Sequence, residues 1–133
     1  MGEHPRWGTS LAARLSELAI ITTTRFWLAQ YELFAHAPLA EKAGVPAAAV
    51  EAIRRGEIPS FEQPDEALVY RLSTELFDTR RLSDEAFNKA VAALGERGLV
   101  EVIAIISYYT LIGNTLNVLA VAVPDGATPP FAE

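Results

Sequence analysis

The stretch from Leu99 to Val123 constrains the fold most, because nearly all of its 25 residues are apolar. A helix of that length and composition either spans a bilayer or forms the central helix of a bundle, where other helices surround it. Several polar residues interrupt the run and argue against a span that faces lipid. They are Glu101, Ser107, Asn114, Thr115 and Asn117. We therefore predict the long central helix of a bundle and no membrane partner.

The first part of the chain also favours helix. Apolar residues recur at helical spacing from Leu11 onward, and Thr9 or Ser10 can cap that helix. The β-branched run from Ile20 to Thr24 would also suit a strand, but the residues that flank it are helix formers. We expect a helix that breaks near Phe26.

The remaining segments carry apolar stripes at helical spacing, together with capping residues and glycines that end helices. In the helix that Ser83 caps, we expect Phe87, Val91 and Leu94 to face inward. The predicted fold class is all-α, with a loose lead-in at 1–10, one helical domain at 11–123 and a tail at 124–133. We expect five helices after the first. The second contains Glu32 and ends at Gly44, the third covers 47–55 and ends at Gly56, and the fourth starts at Asp65. The fifth runs from Ser83 to Gly95, and the sixth runs from Leu99 to Val123.

Composition excludes several classes of function. Half of the 133 residues are hydrophobic and 21% are charged, a ratio that predicts apolar surface buried between subunits. The net charge of −6 argues against a nucleic-acid partner. Because the chain has no cysteine, disulfides, thiolate metal sites and thiol catalysis are excluded. The first residues do not form a secretory signal, so we expect a cytoplasmic protein.

An acid and an imidazole lie one helical turn apart at Glu32 and His36. A carboxylate beside an imidazole fixes one tautomer and strengthens the ring as a base, which suits proton transfer near neutral pH. The alternative is a packed histidine that a helical neighbour satisfies. Trp27, Tyr31 and Phe34 supply bulky side chains nearby.

Several motifs occur in a specific order between residues 11 and 131, and together they resemble the carboxymuconolactone decarboxylase family, a branch of the alkyl hydroperoxidase D-like helical fold. The resemblance implies a small helical protein that assembles as a trimer or hexamer, with active sites close to the subunit contacts. The motifs are Leu18-Ala19-Ile20, Arg25, Gln30-Tyr31-Glu32, His36-Ala37-Pro38-Leu39-Ala40, Ala43-Gly44, Leu82-Ser83-Asp84, Leu99-Val100-Glu101, Tyr108-Tyr109 and Thr115-Leu116-Asn117.

Two branches of that family use this helix differently. The peroxidase branch has a Cys-x-x-Cys pair and then a histidine, where this chain has Ala29, Glu32 and His36, so thiol peroxidase activity is excluded. The decarboxylase branch has Glu-x-x-x-His, which Glu32 and His36 match. The resemblance thus implies a cofactor-free acid-base enzyme that acts on a small carboxylated lactone or enol-type substrate. His36 would transfer the proton, and Glu32 would orient it or carry a second proton.

Five further residues are candidates for contact with such a substrate. Arg25 would bind an anionic group, or alternatively pair with an acid of the protein. Tyr109 and Asn117 would supply polar groups to the site, or else hydrogen bonds between helices. Trp27 and Tyr31 would form walls, or else belong to the core. The Glu-x-x-x-His pair offers only two metal ligands, so we expect no metal. The alternative function is a non-catalytic helical assembly or ligand-binding subunit of the same fold.

Overall fold

The computed structural model describes residues 10–131, and within that range the chain is all-helical and contains no strand. The predicted fold class, all-α, is therefore confirmed. The five helices are α1 (Ala13–Phe26), α2 (Gln30–Ala43), α3 (Ala47–Arg55), α4 (Pro64–Thr79) and α5 (Asp84–Val118).

Helix α1 is the central element. Every residue from Leu15 to Thr24 is buried, because α1 packs against all four other helices. The hydroxyl groups of Thr22 and Thr23 each donate a hydrogen bond of 2.7 Å to the carbonyl oxygen one turn back, on Leu18 and Ala19 respectively. These bonds satisfy the buried hydroxyls inside the helix, so the β-branched run forms helix as predicted.

The start of α1 differs from the prediction. The helix begins at Ala13 without a side-chain cap, and Ser10 instead donates from its amide and its hydroxyl to the carboxylate of Glu101, at 2.9 and 2.8 Å. The predicted cap by Ser10 is therefore wrong, because its hydroxyl is engaged by an acid on α5. Thr9, the other candidate cap, lies outside the described residues.

The helix ends around the α1–α2 pair follow the predicted signals. Helix α1 ends at Phe26, and Leu28 adopts a left-handed backbone with φ of 54° before α2 begins. Gly44 and Gly56 end α2 and α3 with φ of 115° and 76°, a conformation that a side chain disfavours. The predicted break near Phe26 and both glycine ends are confirmed.

Helix α5 is interrupted in its first half, at Gly95, where the sequence predicts the end of a helix. Ser83 caps it as predicted, by accepting a hydrogen bond from the amide of Ala86. Gly95 has φ of 75° and ψ of 168°, so the helical course breaks there and divides the element into two parts. In the first part, Ala86 and Ala90 face the core, whereas Phe87 is 50% exposed. The expectation that Phe87 faces inward is therefore wrong, whereas Val91 and Leu94 are partly buried against the core as expected.

The predicted apolar helix from Leu99 to Val123 does not form as expected. Helix α5 ends at Val118, and Ala120 turns the chain away with φ of 54°. The helix is also not enclosed by the rest of the chain, because one side of it exposes large apolar side chains. Those side chains, which we name the α5 stripe, are Val100, Ile103, Tyr108, Leu111 and Val118. No helix within residues 10–131 is long and apolar enough to cross a membrane.

The segment that follows α5 folds back across the start of α2 and the end of α3. The side-chain amide of Gln30 donates to the carbonyl oxygen of Phe131 at 2.6 Å, and its oxygen accepts from the amide of Phe131 at 3.4 Å. The guanidinium of Arg54 donates to the carbonyl oxygen of Pro130. These bonds hold the irregular tail against the helices.

Candidate functional site

His36 lies between two carboxylates. Its Nδ1 is 2.7 Å from Oε2 of Glu17, and its Nε2 is 3.3 Å from Oε2 of Glu32. The side chains of all three residues are largely withdrawn from solvent, with exposed fractions of 8% for His36, 7% for Glu17 and 13% for Glu32. We call these three residues the Glu-His-Glu array.

Two neighbouring helices position the array. Glu32 and His36 are one turn apart on α2, so the helical repeat alone brings the carboxylate beside the imidazole, as predicted. Glu17 comes from the buried part of α1, against which α2 packs. The imidazole is therefore held by a contact within one helix and by a second contact between two helices.

The two contacts of the imidazole are unequal, and this assigns different roles to its nitrogens. The distance of 2.7 Å to Glu17 is that of a hydrogen bond between a ring N–H and a carboxylate. Such a bond holds the proton on Nδ1 and fixes the orientation of the ring. Nε2 is then the nitrogen that is available for proton exchange, and Glu32 lies next to it at 3.3 Å. A carboxylate–imidazole pair of this kind is a common basis of acid-base catalysis.

Tyr109 completes the surroundings of the imidazole. Its ring meets the ring of His36 nearly edge-on, with centroids 5.2 Å apart and planes at 78°. Tyr108 packs against Tyr109 in turn, with centroids 5.4 Å apart. Of the five predicted substrate-contacting residues, Tyr109 is thus the one whose contact with His36 the structure describes.

Trp27 and Asn117 contact each other rather than the imidazole. The side-chain amide of Asn117 donates to the backbone carbonyl oxygen of Trp27 at 2.7 Å. The indole Nε1 of Trp27 donates to the hydroxyl of Thr110 at 3.0 Å, and its ring packs edge-on against Phe26. Both residues join the end of α1 to α5. Their described contacts therefore match the alternative in which Asn117 forms hydrogen bonds between helices.

Arg25 and Tyr31 lie apart from the array. Arg25 donates from Nε to the carbonyl oxygen of Arg54, and its guanidinium lies 4.7 Å from the ring centre of Phe131. It lines a cleft between α1, α3 and α4, not the surroundings of His36. Tyr31 is on the exposed side of α2.

Glu17 is the member of the array that sequence reasoning missed. The available signal was an acid inside the apolar run of α1, between Leu15 and Leu18, where a solvated side chain is not expected. A buried carboxylate needs a partner, and His36 provides one. The sequence alone gave no indication of which helix that partner would come from.

Within residues 10–131, no metal site is found at the array, and the array lines none of the four described clefts. Among residues 10–131, no group of three or more histidine, aspartate and glutamate side chains is arranged to hold a metal ion. In the array, the two carboxylates contact different ring nitrogens and do not converge on one point. Four clefts are described on this part of the chain, and neither His36 nor Glu32 lines any of them.

No family model matches this chain, and no curated protein or solved structure is significantly similar to it.

Proposed function

We propose that this chain is a cytoplasmic, cofactor-free acid-base enzyme of the carboxymuconolactone decarboxylase type, which acts on a small carboxylated lactone or enol-type substrate. The observation that carries the proposal is the buried Glu-His-Glu array. His36 is the proton-transfer residue through Nε2, Glu17 is its positioning residue, and Glu32 is the adjacent proton carrier.

Energetic cost supports a functional role for the array. Removing an imidazole and two carboxylates from water costs several kcal/mol per charge unless hydrogen bonds and opposite charges offset it. One carboxylate on Nδ1 would be enough to satisfy the single N–H of a packed neutral histidine. The second carboxylate, that of Glu32, lies 3.3 Å from Nε2 and adds the cost of burying a further acid. That cost is explained if the acid exchanges a proton with Nε2.

The chemistry that the array supports begins with cleavage of the bond between the lactone and its carboxylate. Carbon dioxide leaves, and the electron pair of that bond remains on the lactone as a dienolate. The proton on Nε2 of an imidazolium then adds to the dienolate and gives the neutral lactone, while the ring remains hydrogen-bonded to Glu17 through Nδ1. Glu32 can return a proton to Nε2, and solvent restores the proton on Glu32.

Homo-oligomerisation, as a trimer or hexamer, is part of the same proposal. The α5 stripe exposes apolar side chains along one side of a helix, an arrangement typical of a subunit contact. Tyr108 belongs to that stripe and packs against Tyr109, the residue that contacts His36. A subunit that packs on the stripe would therefore lie next to the array.

Light scattering tests the assembly. The mass in solution should be a multiple of the 14.5 kDa chain, and Leu111→Glu should lower it because a charge is placed in the apolar contact. Asn88→Glu, an exposed change in the first part of α5, is the matched control and should leave the mass unchanged. A single-chain mass for the unmodified protein at working concentration would contradict the assembly.

Turnover of a panel of carboxylated lactones, followed as release of carbon dioxide, tests the chemistry. His36→Ala should lower the rate by about 10²- to 10⁴-fold, the usual contribution of a general acid or base. Glu32→Gln should also lower it, whereas Glu41→Gln, an exposed change on the same helix, should have no effect. Full activity of His36→Ala on a substrate that the protein turns over would overturn the proposal.

The second candidate function is a non-catalytic assembly or ligand-binding subunit. The observation that favours it is that the array lines none of the four described clefts. It predicts that the oligomer binds a small molecule without converting it. Substrate that is recovered unchanged after binding, together with wild-type binding by His36→Ala, would favour this function over the enzyme.

A further inference from the structure

The cleft that Arg25 lines is separate from the Glu-His-Glu array. Its volume of about 360 Å³ lies toward the lower end of the range for small-molecule pockets, about 300–1,000 Å³. Glu17 and Arg25 are both on α1, about 12 Å apart along its axis at about 1.5 Å per residue. We call this cleft the Arg25 cleft. Its lining residues are Thr22, Arg25, Phe26, Ile53, Gly56, Glu57, Tyr70, Thr74, Phe77 and Asp78.

Arg25 has the properties of a cation that is ready to bind an anion. Its described contacts are the bond from Nε to the carbonyl oxygen of Arg54 and the ring of Phe131, so no carboxylate within residues 10–131 pairs with it. Gly56 leaves room for the guanidinium, because a Cβ there would be 2.8 Å from Nη2 of Arg25. The two terminal nitrogens keep their donors for a ligand. A planar guanidinium binds a carboxylate through two such donors.

Two acids at the same cleft also have no ion-pair partner in the described part of the chain. Asp78 and Glu57 are exposed and form no salt bridge, whereas Arg14, Arg71 and Arg97 are each paired with an acid. The cleft therefore presents a cation and two anions that form no ion pair with one another.

The rest of the lining is apolar apart from three hydroxyl groups, those of Thr22, Thr74 and Tyr70. The rings of Phe26 and Phe77 are stacked 4.2 Å apart, at an angle of 11°, and form an aromatic wall. Tyr70 lines the cleft beside them. Burial, together with the nearby charge of Asp78, raises the pKa of Tyr70, which keeps its hydroxyl protonated as a donor.

We propose that the Arg25 cleft binds a small zwitterion of the α-amino-acid type with an apolar side chain. The carboxylate of the ligand pairs with Arg25, its ammonium group lies between Asp78 and Glu57, and its side chain packs on Phe26 and Phe77. A ligand that carries both charges can pair with the cation and with the acids at the same time. A simple anion would leave the acids unpaired and would be repelled by them. This inference does not depend on the proposed decarboxylase activity.

Calorimetric titration of the full chain with L-phenylalanine tests the site. We expect a Kd of about 1 mM or tighter. Two analogues with one charge each, 3-phenylpropionate and 2-phenylethylamine, should bind at least about tenfold more weakly, because each loses one charge-assisted contact. Arg25→Met should weaken the binding of L-phenylalanine at least about tenfold, and Asp78→Asn, at the exposed rim, about threefold.

The matched control is Arg97→Met, an exposed arginine on α5 whose bond to Glu101 lies away from the cleft. It should leave the Kd unchanged. If Arg25→Met does not fold, as judged by circular dichroism, Asp78→Asn and the two analogues on the unmodified protein still decide the proposal. No binding of L-phenylalanine at about 50 mM, well above the expected Kd, would overturn it. Equal affinity for 3-phenylpropionate, or an unchanged Kd in Asp78→Asn, would also overturn it.

Discussion

Replacement of Glu17 by alanine removes the carboxylate that accepts the hydrogen bond from Nδ1 of His36. The two atoms are 2.7 Å apart and both side chains are buried, so water cannot readily replace the lost acceptor. We expect the free energy of unfolding to fall by about 3 kcal/mol, because a buried donor that loses its acceptor costs about 1–3 kcal/mol and the cost is larger when the lost acceptor is charged. Glu17→Gln keeps an acceptor oxygen, so its cost should be about 1 kcal/mol.

Urea unfolding, followed by circular dichroism at one fixed protein concentration, measures both costs. The control is Glu41→Ala, an exposed change on α2 that should shift the free energy of unfolding by less than about 0.5 kcal/mol. Because a domain of this size is stable by about 5–15 kcal/mol, the expected loss is easily resolved. If Glu17→Ala were as stable as the control, the Glu17–His36 contact would not exist as described.

Three further changes test other parts of the structure. Arg14 donates two hydrogen bonds to the carboxylate of Asp65, and this contact lowers the pKa of Asp65 in the folded chain. The contact therefore stabilises the fold at a pH above the ordinary pKa of aspartate, and this stabilisation is lost as the pH falls through the lowered pKa. Arg14→Met should therefore cost about 2 kcal/mol at pH 7 and less at about pH 3, and equal losses at the two pH values in urea unfolding would contradict this. Ser83→Ala removes the cap of α5 and should cost about 1 kcal/mol, whereas Ser107→Ala, an exposed change within α5, should cost much less. Gly95→Ala should cost about 1–3 kcal/mol because the backbone there favours glycine while no atom crowds the new Cβ, and unchanged thermal stability would show that α5 does not break at this residue.

The sequence predicted the features that depend on neighbouring residues. Gly44 and Gly56 end their helices as expected, because the left-handed conformation is a local preference of glycine. Glu32 and His36 lie side by side as expected, because the helical repeat fixes their relation once α2 forms. Ser83 caps α5 for the same local reason.

Features that depend on contacts between helices were not predictable in this way. Ser10 failed as a cap because Glu101, on a distant helix, binds its hydroxyl. Glu17 was missed because its partner is on α2, and Arg25 was expected near Glu32 but lies in a separate cleft. The apolar run of α5 predicts a helix at the centre of the bundle, but α1 occupies that position, because composition alone does not show which helix the others surround.

The unbroken burial of α1 from Leu15 to Thr24 has a consequence for how this chain tolerates mutation. Most helices keep a solvent-facing side that accepts almost any residue, so a saturation scan shows tolerance that rises and falls every three to four positions. In α1 this periodic variation in tolerance should be absent, and the scan should show one continuous block of positions that do not tolerate substitution. Natural variation in this segment would then proceed by paired changes, in which a neighbouring helix yields the volume that α1 gains.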